Sequence, residues 1–160
     1  MGLLDKLKAA KNFVTGGSAK ISIEVGHSGR ASLGAAIPVV VRAVVGDNAL
    51  SVNRVYVQVS AEEFIDLVHI DRDDGEHDRD RVRKTYETFD QEFVIAGTQS
   101  LEPGTEHEWV GEITLPPSAQ ATYMGHHARH EWSFRAGLDV RGNDPDSGWV
   151  TVHMSAAAGY

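Results

Sequence analysis

Three histidines lie close together in the last third of the chain, at His126, His127 and His130, and imidazole is a common zinc ligand. A zinc site needs each ligand nitrogen at about 2.0 Å from the ion. In an extended strand, which rises about 3.3 Å per residue, His126 and His130 are roughly 13 Å apart and His127 points to the opposite face. A bend at Gly125 would bring them closer, but the spacing favours loop and strand-start histidines over a zinc site.

Two acidic segments carry the oxygen donors that calcium prefers. In an EF-hand loop, ligands occupy the first, third and fifth positions and a glycine occupies the sixth. If Gly75 is that glycine, Ile70 and Arg72 fall at the first and third positions, so residues 71–80 do not fit the loop. These residues are predicted to belong to the mixed-charge tip of a hairpin. The second segment, residues 143–146, has the composition of a turn.

The sequence Gly26-His27-Ser28-Gly29 partly matches the nucleophile elbow of hydrolases. That motif needs a glycine two residues after the serine, where this chain has Arg30, and it joins a strand to a helix. The chain has no cysteine, which excludes thiolate nucleophiles, thiolate zinc sites and disulfides. We therefore expect no catalytic residue, no metal site and no cofactor, and a protein that is not an enzyme.

Length and charge limit the class of protein further. A chain of 160 residues suits one domain with a core of its own. Its formal net charge of −8 argues against nucleic acid as a partner, because phosphate binding needs a basic surface. No apolar run reaches the roughly 20 residues of a membrane-spanning helix, and Asp5, Lys6 and Lys8 interrupt the start where a signal peptide has its apolar core. We expect a soluble, cytoplasmic protein.

Residues 2–14 have the pattern of a short amphipathic helix. Leu3, Leu7 and Val14 fall on one face, lysines lie mostly off it, and a pair of glycines follows to end the helix. We expect the helix to pack on the domain or against a second copy of the chain. The alternative is a weak contact with an anionic membrane surface.

From residue 19 onward the apolar period changes from helical to two, which is typical of strands with one buried face. Residues 37–45 are almost continuously apolar, as expected for a central strand, whereas residues 61–70 fit a strand or a short helix. Strand patterns resume at residues 85–89 and 93–95. In the clearest strand, one face carries His130, Trp132, Phe134, Ala136, Leu138 and Val140. Short strands without interleaved helices predict an all-β, immunoglobulin-like antiparallel sandwich.

The strand pattern also predicts where the three tryptophans lie. Trp109, Trp132 and Trp149 are expected to pack in the core or on a sheet face, and Trp132 is in phase with the apolar face of its strand. Trp149 follows a turn, so an exposed contact role is its alternative, because aromatic side chains anchor interfaces.

The order of elements in the last third resembles the arrestin-like superfamily, above all its bacterial sporulation-control proteins. The residues that carry the resemblance are a strand at 109–115 followed by Pro116-Pro117, the segment Thr122-Tyr123-Met124-Gly125, the long strand at 129–140 and the hairpin at 143–149. The N-terminal helix, the Gly-Gly joint and a first strand at 19–25 are also similar to those bacterial members.

The resemblance implies one domain of the N-terminal arrestin type. We expect a helix and joint at residues 1–17, the sandwich at 18–154 and a tail at 155–160. It also implies non-enzymatic work: a scaffold or adaptor that binds protein partners through sheet edges or loops, as a homodimer, in regulation of sporulation, stress or trafficking-like processes. The alternative is a sandwich that binds calcium or carbohydrate through its acidic loops, one of which runs between Asp71 and Asp80.

Overall fold

The computed structural model describes residues 15–16, 18–70 and 79–159, and this part of the chain forms eleven β-strands without a helix. In chain order the strands are β1 (Thr15–Gly16), β2 (Ala19–Val25), β3 (Arg30–Ser32), β4 (Ala36–Val45), β5 (Leu50–Ile70), β6 (Arg79–Ala96), β7 (Gln99–Leu101), β8 (Glu106–Thr114), β9 (Tyr123–Met124), β10 (Ala128–Val140) and β11 (Val150–Ser155). The helix predicted at residues 2–14 and the hairpin tip at residues 71–78 lie outside the described residues.

The smaller sheet has the strand order β1-β2-β4-β8, and its strands pair antiparallel. β4 is central, as its nearly continuous apolar sequence predicts, and its inward side chains Val39 and Val41 are fully buried. On the outer face, Arg42 of β4 bridges Glu24 on β2 and Glu108 on β8. One charged side chain thus ties three strands together.

The larger sheet has the order β3-β11-β10-β5-β6, with β7 added to β5 and β9 added to β10. Its pairs are antiparallel except for β3 and β11, which run parallel. β10 and β5 form the centre, because their register extends from Ala128 opposite Ile65 to Val140 opposite Val52. The two sheets enclose one apolar core, so the predicted all-β sandwich is confirmed.

The alternation predicted along β10 is also confirmed. Trp132, Phe134 and Leu138 are completely buried, and burial of each such side chain stabilises the fold by about 1.5–3 kcal/mol relative to exposure. The indole Nε1 of Trp132 donates a hydrogen bond to the Gln120 carbonyl at 2.8 Å, which satisfies the one polar group of that side chain.

The hairpin of β5 and β6 differs from the sequence expectation in extent. Residues 61–70 belong to β5, which resolves the choice between strand and helix, and β6 is one strand from Arg79 to Ala96 instead of two short pieces. Cross-strand pairing with β5 keeps the polar parts of β6 extended, although their local sequence preference does not distinguish a strand from a loop. The register shifts twice, so that Thr88 and Ile95 are bulge residues of β6.

The short strands β1, β3, β7 and β9 were not predicted. Each has two or three residues, too few for a period of two to be visible in the sequence. β3 falls in the stretch that the sequence predicts as turn-rich, and it is held by pairing with β11. The division at residues 17 and 154 stays a prediction.

Candidate interaction surface

The three predicted histidines separate in the fold. His126 and His127 are exposed in the bend between β9 and β10, with ring centroids 6.3 Å apart, whereas His130 is buried on the inner face of β10. The bend is closed by a hydrogen bond from the Gly125 amide to the Ala128 carbonyl at 2.8 Å. The alternation of β10 therefore directs one histidine into the core and leaves the other two in solvent.

His130 belongs to a buried polar contact. The Thr88 hydroxyl donates to the Ala61 carbonyl at 3.1 Å. The oxygen of this hydroxyl also lies 2.6 Å from His130 Nε2. His130 Nδ1 is buried and has no hydrogen-bond partner among the described residues. Burial lowers the pKa of His130, against the opposing effects of the Ala121 carbonyl and Glu63.

The acidic turn between β10 and β11 uses its carboxylates to hold itself together. Asp144 accepts hydrogen bonds from the Tyr56 hydroxyl at 3.0 Å and from the Val140 amide at 3.1 Å. Asp146 accepts one from the Gly148 amide at 2.8 Å. Across the described residues, no group of three or more histidines and carboxylates is placed to hold a metal ion.

The segment that partly matches a nucleophile elbow is a tight turn between two strands, β2 and β3. His27 and Arg30 close it with reciprocal backbone hydrogen bonds of 3.0 and 3.2 Å. Ser28 has a positive φ of 55°, which the turn imposes and a residue other than glycine seldom adopts. The strand-to-helix setting of a hydrolase elbow is absent from this segment.

The three tryptophans occupy different environments. Trp132 is in the core, and Trp109 on β8 is half-buried with its Nε1 donating to Gln99 at 3.2 Å. Trp149 is 41% exposed, and the Arg135 guanidinium carbon lies 4.7 Å from the centre of its ring. Trp149 therefore has the exposed position that was the alternative for it.

A shallow groove of about 400 Å³ runs over the outer face of the larger sheet. Its lining is Gln58, Ser60, Glu62, Phe64, Glu87, Asp90, Glu131, Ser133 and Trp149. Glu131, Glu62 and Glu87 stand side by side on three adjacent strands, an arrangement of like charges that costs stability. Arg129 offsets part of this repulsion, with its Nε 2.9 Å from Glu131. The groove is therefore acidic, and its lining includes two aromatic side chains, Phe64 and Trp149.

β6 forms one edge of the larger sheet. Among the described residues, no strand pairs with its outer side. All its side chains from residue 81 to residue 88 are exposed. β10 stops pairing with β5 at Ile65, so beyond this point β5 and β6 continue as a two-stranded ribbon on which Leu67, Val68 and Val82 are 43%, 51% and 40% exposed. A long edge of this kind offers backbone groups to another strand.

Charge is divided along β6. The first half carries Arg81, Arg83 and Lys84, and the second half carries Glu87, Asp90 and Glu92. Four of these side chains also pair within the chain. Arg81 donates to Asp66 at 2.5 and 2.7 Å, and Arg83 lies 3.6 Å from the same carboxylate. Asp90 accepts from Gln58 at 3.1 Å, and Glu92 accepts from Arg54. The charges are visible in the sequence, but the free edge that exposes them is a property of the strand order.

The two stacked sheets and their continuous core form a β-sandwich of the kind that the sequence resemblance predicts. The fold is similar to the crystal structure of Spo0M, a sporulation control protein from Bacillus subtilis, with a TM-score of 0.61 and 21% sequence identity over 88% of this chain and 51% of that chain. This chain thus spans about half the length of that protein. No protein-family model and no curated protein matches the chain. In the described part of the chain, no helix has the length and apolar character needed to cross a membrane.

Proposed function

We propose that this protein is a non-enzymatic interaction module that binds a protein partner by adding a strand to the free edge of β6. The observation that carries the proposal is the length of this edge, which has 18 residues and no neighbour on its outer side among the described strands. Main-chain hydrogen bonds supply the affinity in strand addition, and alternate side chains supply the selectivity. The basic first half and the acidic second half of β6 suit a partner strand of complementary charge.

The arrestin-like fold supports a regulatory role of this module. The similar structure is that of a sporulation control protein, and we assign the present chain to control of sporulation, stress or trafficking-like processes in the cytoplasm. In this proposal the module works through binding and not through a reaction.

Proline at the edge tests the mode of binding. Amides of successive residues in an edge strand point alternately toward the neighbouring strand and away from it. Thr85→Pro and Tyr86→Pro therefore form a matched pair, since one removes a hydrogen bond to β5 and the other removes only a free donor of the edge. The variant that keeps the wild-type melting temperature is the edge-blocked protein.

Affinity capture from the source lysate then compares the wild-type and edge-blocked proteins. We expect the bound protein to be lost from the edge-blocked variant and retained by His107→Pro or Glu108→Pro, whichever of these neighbouring β8 variants is stable. Equal capture by the wild-type and edge-blocked proteins would show that the partner uses another surface.

Carbohydrate binding is the second candidate, and the groove on the outer sheet face favours it. An exposed indole at Trp149, carboxylates and the amide of Gln58 line one open depression, and such a mixture of aromatic and polar groups suits a sugar ring. Titration with a panel of oligosaccharides, followed by tryptophan fluorescence in wild type and Trp149→Phe, tests it. A flat response in the wild type would remove this candidate.

A further inference from the structure

We infer that the strand bound at β6 is the β6 strand of a second copy of this chain, paired antiparallel about a two-fold axis between residues 86 and 87. The inference rests on the proposed function, whose edge it uses, and it names the partner. A two-fold axis at this point places residue i of one copy opposite residue 173 − i of the other. The free edge is then closed by an isologous contact, in which both copies use the same surface.

Charge complementarity selects this register. The axis places Arg81 opposite Glu92 and Arg83 opposite Asp90, and symmetry produces each pair twice. Opposite charges directly across an antiparallel pair stabilise it, whereas like charges destabilise it. A parallel alignment in register would set each of these residues against its own copy, so it would bring together charges of one sign.

The bulge at Thr88 makes the register geometrically consistent. In a regular strand, residues of opposite parity point to opposite faces, so Arg83 and Asp90 could not meet. In β6 the register with β5 shifts at Thr88. Arg83 is opposite Asp66, and Asp90 is opposite Ser60. Asp66 and Ser60 are six positions apart on one continuous strand, so Arg83 and Asp90 share the outer face.

On the inner face of β6, this register places Lys84 directly opposite Phe89 of the second copy. Val82 comes opposite Gln91 of the second copy, and its diagonal neighbours there are Phe89 and Phe93. Val82 is 40% exposed in the single chain, while Phe89 and Phe93 are half-buried at the rim of the core. Pairing therefore removes apolar surface from water on the exposed ribbon. The bulges of the two copies meet at the centre. The intermolecular ladder therefore consists of two paired segments, one on each side of residues 85–88.

The net charge opposes association, and the local pattern must outweigh it. Each chain carries a formal net charge of −8, so two copies repel at long range. The repulsion is spread over the whole surface and is screened at physiological salt within about 8 Å. In the proposed register the four cross-strand pairs come within contact distance, which is well inside this screening length.

A charge swap tests the inference. Arg83→Glu sets Glu against Asp90 twice, and Asp90→Arg sets Arg against Arg83 twice, so each variant alone should be a monomer with self-association weakened about tenfold or more. An equimolar mixture of the two variants restores opposite charges at both positions. We therefore expect wild type to dimerise, each single variant to be a monomer, and the mixture to form a heterodimer in sedimentation velocity.

Charge reversals on other strands serve as controls. Arg30→Glu on β3 and Glu112→Arg on β8 change the net charge by the same amounts at exposed positions away from β6, and both should leave the dimer intact. Circular dichroism checks that every variant is folded.

Three results would overturn the inference. A monomeric wild type that still captures another protein through its β6 edge would refute self-pairing and leave the proposed function standing. A wild-type dimer that survives both single reversals would mean that the two-fold axis lies at another surface. A monomeric wild type whose capture is also insensitive to edge blocking would contradict both proposals.

Discussion

The ring of Tyr56 lies across Gly137, its direct partner on the neighbouring strand β10. A Cβ at residue 137 would come within 2.5 Å of the Cζ and Oη atoms of the ring, and Cβ atoms in proteins essentially never lie closer than 3.0 Å to such a neighbour. The absence of a side chain at Gly137 thus allows the phenol to reach Asp144 at 3.0 Å. One aromatic side chain on β5 is thereby tied to the turn that follows β10, and it covers a glycine that is otherwise a weak point of a strand.

Gly137→Ala is expected to destabilise the protein by about 1–3 kcal/mol, because the added methyl group forces the Tyr56 ring out of its position. The matched control is Gly97→Ala, where a Cβ meets nothing within 4 Å and φ is not positive; its effect should stay within about 0.5 kcal/mol. Urea unfolding of both variants measures the difference. Equal effects at the two positions would contradict the steric explanation.

A double-mutant cycle identifies the ring as the cause of that cost. In a Tyr56→Ser background the aromatic ring is absent, so Gly137→Ala should become nearly neutral and the two substitutions should be strongly non-additive. If Gly137→Ala costs as much without the ring as with it, the strain lies in the backbone of β10 and not in the contact with Tyr56.

Tyr56 should also make stability sensitive to alkaline pH. Burial, followed by the hydrogen bond to Asp144, raises the pKa of Tyr56 from 10.0 to about 12. The folded state therefore holds this proton more tightly than the unfolded chain does, and the stabilisation is complete below pH 10 and lost as the pH rises toward 12. Tyr56→Phe lacks this contribution, so the advantage of wild type over Tyr56→Phe in urea unfolding should shrink across that window. A constant difference would contradict the assignment.

The class of fold follows from periodicity, because a buried strand face shows itself in consecutive alternate residues such as Trp132 and Phe134. The interaction surface does not follow in the same way. The charges of β6 are visible in the sequence, but its composition is as typical of a loop as of a strand. Pairing with β5, and not local preference, keeps Asp90 to Glu92 extended. Edge position is a non-local property of strand order, and so is the meeting of Tyr56 with Gly137, which are 81 positions apart.

His130 should make stability sensitive to mildly acid pH. Burial lowers its pKa below the ordinary 6.5, against the opposing effects of the Ala121 carbonyl and Glu63, so the folded state binds this proton less tightly than the unfolded chain does. As the pH falls below about 6.5, the unfolded chain takes up this proton before the folded chain does. The free energy of unfolding therefore decreases from this pH down to the pKa of His130 in the folded state. His130→Leu should flatten the fall in urea midpoint between pH 7.5 and pH 5. Its control, His127→Leu at an exposed position, should keep the wild-type slope, and an unchanged slope in His130→Leu would contradict the prediction.

Arg42 is expected to stabilise the smaller sheet through its two ion pairs. Its side chain is only 9% exposed, and it binds Glu24 at 2.7 Å and Glu108 at 2.8 Å, on strands to either side. The two carboxylates are 61% and 48% exposed, so solvent screens them and Arg42→Met should cost only about 1 kcal/mol in free energy of unfolding. Arg54→Met is the matched control, because Arg54 also bridges two carboxylates but is itself 39% exposed. The Arg42 effect should be the larger and should fall in 1 M salt; an Arg54 effect of equal size would mean that burial of the guanidinium adds nothing.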